Sequence, residues 1–364
     1  MKKIFVLAGI FIAALIVGIA VINYSEANTE VTTKTTRVGL ILNGSKDDKS
    51  WCQSHYEGLC RTAEELNLSV IYEESVLPEE LPERIDEMVE QKCEIIIAST
   101  FDYADGMMAA AEKYPDVTFF HATGVGERKN LTSYFGRMYQ MRYLCGIVAG
   151  LQTKTDKIGY VAAMPISEVN RGINAFALGA RSVNPDAEIY VSWTDSWTDD
   201  ESARQAAIRL LESQDIDILT LHTDSIAPLD VAEEYGVFSI GYNIDNSESY
   251  PDTYLTAATW DWENFYTSNI LKCLQGKFIG GHCWEGVSTG IVSLAPFTEN
   301  VDSGIAEAVD KEMERLLGGT FDVFYGPIKD NSGALRVASG ESMTDDSMLN
   351  SFNWYVEGVH ISDE

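Results

Sequence analysis

Residues 155–185 read TDKIGYVAAMPISEVNRGINAFALGARSVNP, and this stretch decides the fold. Ile158–Ala163 is a short apolar run of the kind that makes a buried parallel strand. Helical periodicity follows over 168–184, and Asn184-Pro185 ends it. Upstream, the same alternation has already run once. Strand-like Val38–Leu42, Ser69–Tyr72, Glu94–Ala98 and Val117–His121 are separated by helix-period segments at 53–66, 79–92, 104–113 and 138–152. Downstream, strand-like Ile189–Ser192, Asp217–Leu221 and Val237–Gly241 alternate with segments 200–213 and 227–235, with Asp199 and Asp200 as helix N-caps. The first series ends near Thr155 and the second begins at Ile158. Repeated βα alternation implies parallel sheets with helices on both faces. The expected class is α/β: two Rossmann-like lobes with a ligand cleft between them.

Composition narrows the partners. The chain has 364 residues with 26 Lys+Arg against 56 Asp+Glu, a formal charge of −30. Nucleic-acid binding relies on basic side chains meeting phosphates. Here no Lys/Arg cluster exists beyond Lys2-Lys3, so nucleic acid is excluded as a partner. Those lysines precede an uncharged apolar run, Ile4–Ile22, which nearly spans a hydrocarbon layer of about 30 Å. Ser25-Glu26-Ala27 offers a small-x-small cleavage signal just downstream. The run reads as an uncleaved anchor or as a cleaved signal, and either reading exports residues 28–364.

The expected organisation is therefore a signal or anchor over 1–27, a polar linker over 28–36, and two discontinuous lobes. The first lobe takes 37–156 plus about 256–286, the second 157–255 plus about 287–338. A polar tail, 339–364, looks peripheral. The six cysteines are dispersed without a C-x-x-C, which argues against a zinc ribbon or a thioredoxin-like site.

Ligands of open α/β sheets collect at the carboxyl ends of the strands. In this sequence those ends carry Asn43 to Trp51, Ser99 to Tyr103, Trp193 to Trp197, His222 to Ser225, Asn243 to Asp245 and Trp260 to Trp262. Five of the seven tryptophans fall there. Aromatic faces with a few Asp and Asn side chains suit a flat heterocycle, stacked on its faces and hydrogen-bonded at its edges. The candidate ligand-binding residues are Trp51, Phe101, Tyr103, Trp197, Asp224, Asn243 and Trp260. No metal spacing is present among the five histidines, and no cofactor or catalytic residue is expected.

At these same loops the sequence resembles the basic-membrane-protein (Med/PnrA-like) family of bacterial solute-binding proteins. The resemblance covers about residues 37–330. It is carried by Asp48-Lys-Ser-Trp51 with Tyr56-Glu-Gly58, by Tyr114-Pro-Asp-Val117 with His121-Ala-Thr-Gly124, and by Gly172-Ile-Asn-Ala-Phe176 with Val183-Asn-Pro185. Ser196-Trp197, His222-Thr-Asp-Ser225 and Gly326-Pro-Ile328 complete it. The resemblance implies a type I periplasmic-binding-protein fold closing over a purine nucleoside or related molecule, for delivery to an ABC permease. It puts Trp51 and Trp197 at the stacking positions and Asp224 and Asn243 at the ligand's polar edge. One departure matters. Nucleoside-binding members carry a sugar-gripping Lys where this chain reads Thr259-Trp260-Asp261-Trp262, which favours a free base, adenine, over a nucleoside. A membrane-anchored sensor of the same fold is the alternative.

Two further patterns carry other readings. Gly286-Val-Ser288-Thr-Gly290 matches the G-x-S-x-G nucleophile elbow, but a strand-like run and Pro296 follow where that motif needs a helix. Arg137 and Arg142 either pair with carboxylates of this acidic chain or reach the cleft.

Overall fold

The computed structural model describes residues 35–362; the apolar run Ile4–Ile22 and the linker up to Lys34 lie outside the described residues. The chain runs β1 (Arg37–Ile41), α1 (Trp51–Leu66), β2 (Ser69–Glu73), α2 (Leu81–Glu90), β3 (Ile95–Ala98), α3 (Ala104–Lys113), β4 (Thr118–Ala122) and β5 (Leu131–Gly136). It continues through α4 (Tyr139–Gln152), β6 (Lys157–Ala162), α5 (Ser167–Val183), β7 (Glu188–Trp193), α6 (Asp200–Ser213), β8 (Ile218–His222), α7 (Ala227–Tyr235) and β9 (Phe238–Asn243). Then come β10 (Tyr254–Trp260), α8 (Trp262–Leu274), β11 (Gly281–Glu285), β12 (Val292–Leu294) and α9 (Ser303–Leu317). A short hairpin, β13 (Ile328–Lys329) with β14 (Leu335–Val337), precedes α10 (Asp345–Asn350) and β15 (Val359–Ile361).

Two sheets result. The first is parallel throughout, in the order β11-β5-β4-β3-β1-β2. The second has the order β12-β10-β9-β8-β6-β7-β15, with only β12 antiparallel. The strand sequences explain the parallel choice. β3 (IIIA) and β8 (ILTLH) are buried along their whole length, as strands covered on both faces must be. Helix starts are equally local: Asp199 caps α6 by accepting from the Ser202 amide at 2.9 Å.

The α/β class stands as expected, but the chain divides between the sheets differently from the boundaries expected above. The first crossing falls at Arg137-Met138 and not at 156, because α4 packs on α5 of the second half. Glycines make that contact close: a Cβ on Gly146 or Gly179 would fall on the carbonyl oxygen of Phe176 or Tyr143. The return crossing lies after Trp260 and not near 256, since β10 pairs with β9. Residues 339–364 are not a peripheral tail either. β15 pairs with β7, Phe352 is fully buried, and Asn170, Arg171 and Asn174 of α5 hold the carbonyls of Phe352, Met348 and Trp354. The polar composition of this stretch concealed that Met348, Phe352, Val356 and Val359 are buried.

Candidate ligand-binding cleft

The loop after β1 is organised by Asp48. Its carboxylate accepts from the amides of Ser50 (2.8 Å), Cys52 (2.8 Å) and Gln53 (3.0 Å), which satisfies the open N-terminus of α1. This cap fixes Ser50 and Trp51. The Trp51 indole N–H donates to the Ser99 carbonyl at the end of β3, at 2.8 Å. Its ring meets Trp260 and Trp262 edge-on, at centroid distances of 5.7 and 5.5 Å. Trp260 and Trp262 are themselves stacked at 4.6 Å.

Asn243, at the end of β9, is the junction between the sheets. Its backbone adopts φ +70°, a left-handed conformation that Asn tolerates better than most residues. Its amide nitrogen donates to Ser50 Oγ and to Asp224 Oδ1, both at 2.8 Å. Its oxygen accepts from the Trp260 indole at 2.9 Å. A second link runs from the Asn246 side chain to the Lys49 carbonyl.

On the second sheet, the Trp197 carbonyl gathers the loop after β8. It accepts from the Asp224 and Ser225 amides and from the Thr223 hydroxyl. Burial pushes the Asp224 carboxyl up to about 8, with Asp48 across the junction adding to the rise and the Asn243 amide opposing it. His222 beside it is held neutral, chiefly by burial and then by the charges of Arg142 and Arg171.

Five of the seven expected residues thus belong to one connected set: Trp197, Asp224, Asn243, Trp260 and, through Ser50, Trp51. Their roles differ from the expectation in two cases. Asn243 spends both amide hydrogens and its oxygen within the protein, so it positions Asp224 and does not present a free edge. Trp260 is stacked and hydrogen-bonded below the surface, with 6% of its area exposed, and Trp51 is nearly as covered at 8%. Tyr103 is not brought to the cleft. Its hydroxyl donates to the Val76 carbonyl at 2.6 Å, and its ring fills the core with Ile41, Met107 and Phe119. Phe101, in contrast, is 54% exposed beyond Ser99.

Sequence reading missed Ser50 and Glu168. Glu168 sits in the first turn of α5, just after β6, and that strand end was among those left unsurveyed. Arg137 pairs with Asp345 through both guanidinium nitrogens, while Arg142 meets no carboxylate. Ser288 lies exposed on a single 3₁₀ turn between β11 and β12, not on a strand-to-helix elbow. A pocket of about 220 Å³ flanks the junction, lined by Ser54, Glu57 and Arg61 of α1 and by Asp245, Thr259 and Trp260. Among the described residues no cluster of His, Cys, Asp or Glu could hold a metal ion.

Two parallel α/β sheets, crossed three times by the chain and meeting at aromatic strand ends, define a solute-binding protein of the type I periplasmic class. The chain belongs to the Bmp family, described as ABC transporter substrate-binding protein PnrA-like, whose profile matches residues 35–319. Members are extracytoplasmic receptors that serve a membrane permease. A purine-binding protein of Brucella abortus is 35% identical over 326 residues, covering 89% of this chain and 92% of the relative. A Haloferax volcanii protein named for glucose binding in ABC transport is 34% identical, covering 86% of this chain and 77% of the relative. Among solved structures, a transcriptional activator of the comK gene from Bacillus halodurans superposes with a TM-score of 0.71 at 25% identity. It covers 78% of this chain and 99% of its own. No helix among the described residues is long and apolar enough to cross a membrane.

Proposed function

We propose that this protein captures a purine nucleobase, adenine first among them, and delivers it to an ABC importer. The observation that carries the reading is the connected set from Trp197 through Asp224, Asn243 and Ser50 to Trp51. It supplies an indole from each sheet and one carboxyl between them. Stacking adds about 0.5–1.5 kcal/mol per aromatic pair beyond burial. Ligand favours closure because only the closed state engages both sheets at once. The purine-binding relative at 35% identity supports the same cargo. The cleft holds no sugar-gripping lysine near Trp260, which is why a free base is preferred to a nucleoside.

Calorimetric titration with adenine, adenosine, guanine, riboflavin and glucose tests this. Adenine is expected to bind with the greatest affinity, and mass spectrometry of the purified protein to find a retained base. Absence of binding to any purine sinks the reading, as does glucose or adenosine binding far tighter than adenine. A sensing role is the second reading, favoured by the likeness to a Bacillus subtilis relative named as a transcriptional activator, 24% identical over 281 residues. In that case the ligand would be the same and its consequence would be a signal.

A further inference from the structure

Beneath the loop carrying Trp197 and Asp224 lies a group of polar atoms that the fold leaves without partners. Arg142, in the first turn of α4, is fully enclosed. Its Nη1 donates to the Leu221 carbonyl at 2.8 Å, and its plane lies 4.0 Å from the Tyr242 ring centroid. Its Nε and Nη2 meet no acceptor. His222, the last residue of β8, is 2% exposed. Its Nδ1 lies 3.1 Å from the Tyr160 hydroxyl; in the tautomer in which that hydroxyl donates to Nδ1, the ring proton sits on Nε2. That Nε2 has no partner.

Facing it is Glu168. The nearer carboxylate oxygen is 4.0 Å from His222 Nε2, too far for a hydrogen bond, and the side chain is 26% exposed. Burial raises the Glu168 carboxyl above its ordinary value, opposed by the charges of Arg171 and then Arg142, neither of which is in ion-pair contact with it. The position of the imidazole is fixed from behind. A Cβ on Gly172 would stand 2.7 Å from His222 Cε1, so only glycine leaves room for the ring. The Trp197 ring centroid is 6.1 Å from the imidazole, so donor and acceptor belong to the same wall of the cleft. Buried donors without partners are uncommon in native folds. Three of them lie at this end of the second sheet, one of them facing the half-open Glu168 carboxylate, which marks a place that another molecule completes.

We propose that His222 and Glu168 are specificity-determining residues that read one edge of the base as a donor–acceptor pair. The imidazole N–H meets an acceptor of the base, and the neighbouring ligand N–H donates to Glu168. The chemistry fits positions 1 and 6 of a purine, as the amidine edge of a 6-aminopurine or the lactam edge of a 6-oxopurine. It rests on the base-binding reading above. Asp224, two residues beyond His222, then takes a different part of the ring.

Titration of the full-length protein with adenine, hypoxanthine and unsubstituted purine separates the outcomes. Unsubstituted purine has no N–H at positions 1 or 6 and serves as the internal control. Glu168→Gln is expected to weaken adenine or hypoxanthine about tenfold or more while changing unsubstituted purine by less than about threefold. His222→Phe weakens whichever base binds, and His222→Gln, which keeps a donor, restores part of the loss. The tighter of adenine and hypoxanthine in the wild type tells the amidine edge from the lactam. Equal losses for all three ligands, or unchanged affinities in Glu168→Gln, overturn the proposal; the second result assigns the gap to ordered water. Glu168→Asp, read by the same titrations, is the substitute should the Gln variant fail to fold. If the wild type binds no purine at all, it is the base-binding reading that falls.

Discussion

Asp224 is a carboxyl placed where its ionised form is disfavoured. The causes are burial first, then Asp48 facing it from the α1 cap, with Glu168 adding a smaller like charge and the Asn243 amide pulling the other way. A native value near 8 against an ordinary 3.8 means the folded protein holds a proton that the unfolded chain releases. Stability from this group is therefore full below about pH 4, declines as pH rises, and is lost beyond about pH 8. Asp224→Asn, which mimics the protonated form, is expected to flatten this decline in thermal melts recorded between pH 5 and about 9. A wild-type and variant difference that does not change with pH would show that Asp224 is ionised throughout. The Asn243 amide also illustrates what single residues conceal. Sequence placed it at a ligand-reading strand end, and it is there, but three internal hydrogen bonds use up its polar atoms.

At the scale of elements, most of the βα alternation was legible because most buried strands are short apolar blocks and the helices between them carry their own stop signals. Strand β5 (LTSYFG) was missed, since its Thr and Ser break the apolar run although every residue is buried. The C-terminal stretch was misread for a related reason. Its contribution comes from side chains far apart in sequence: Asn170, Arg171 and Asn174 supply the donors that fix Phe352, Met348 and Trp354 onto α5. No periodicity within residues 339–364 announces that. A chain ending at Ala338 is expected to lose about 3 kcal/mol or more, and to melt several degrees lower, through lost burial and exposed acceptors. An unchanged melting temperature would mean the stretch is peripheral after all. The candidate site was legible to the extent that strand ends were, which is why Trp51, Trp197 and Asp224, joined here in one connected set, could be named as candidates. Tyr103 was not distinguishable from them, because a 3₁₀ turn after β3 carries its ring into the core and leaves Phe101 outside.

For the whole molecule, the charge of −30 and the proposed neutral cargo belong to different regions. The titratable groups named along the cleft, Asp48, Glu168 and Asp224, are all carboxyls; Arg142 and Arg171 are buried behind the wall, and Arg61 lies in the flanking pocket. A phosphorylated ligand would therefore meet repulsion at the mouth and at the floor. Adenine affinity is expected to vary by less than about threefold between 0.05 and 0.5 M salt, because no ligand charge is screened. Adenosine monophosphate is expected not to bind at all under the same conditions. Steep salt dependence for adenine, or measurable binding of the nucleotide, would place a cation in the cleft that the fold does not show.

The pairing of β15 with β7 also bears on the order in which the protein is made. β7 closes its inner side early, against β6, but its outer side stays bare until Val359–Ile361, nearly the last residues of the chain, arrive. Throughout synthesis and export, the second half therefore presents a strand with a free row of amides and carbonyls, the kind of edge that recruits other chains. Closure of this edge waits for Val359–Ile361, and a chain cut before them carries an adhesive side.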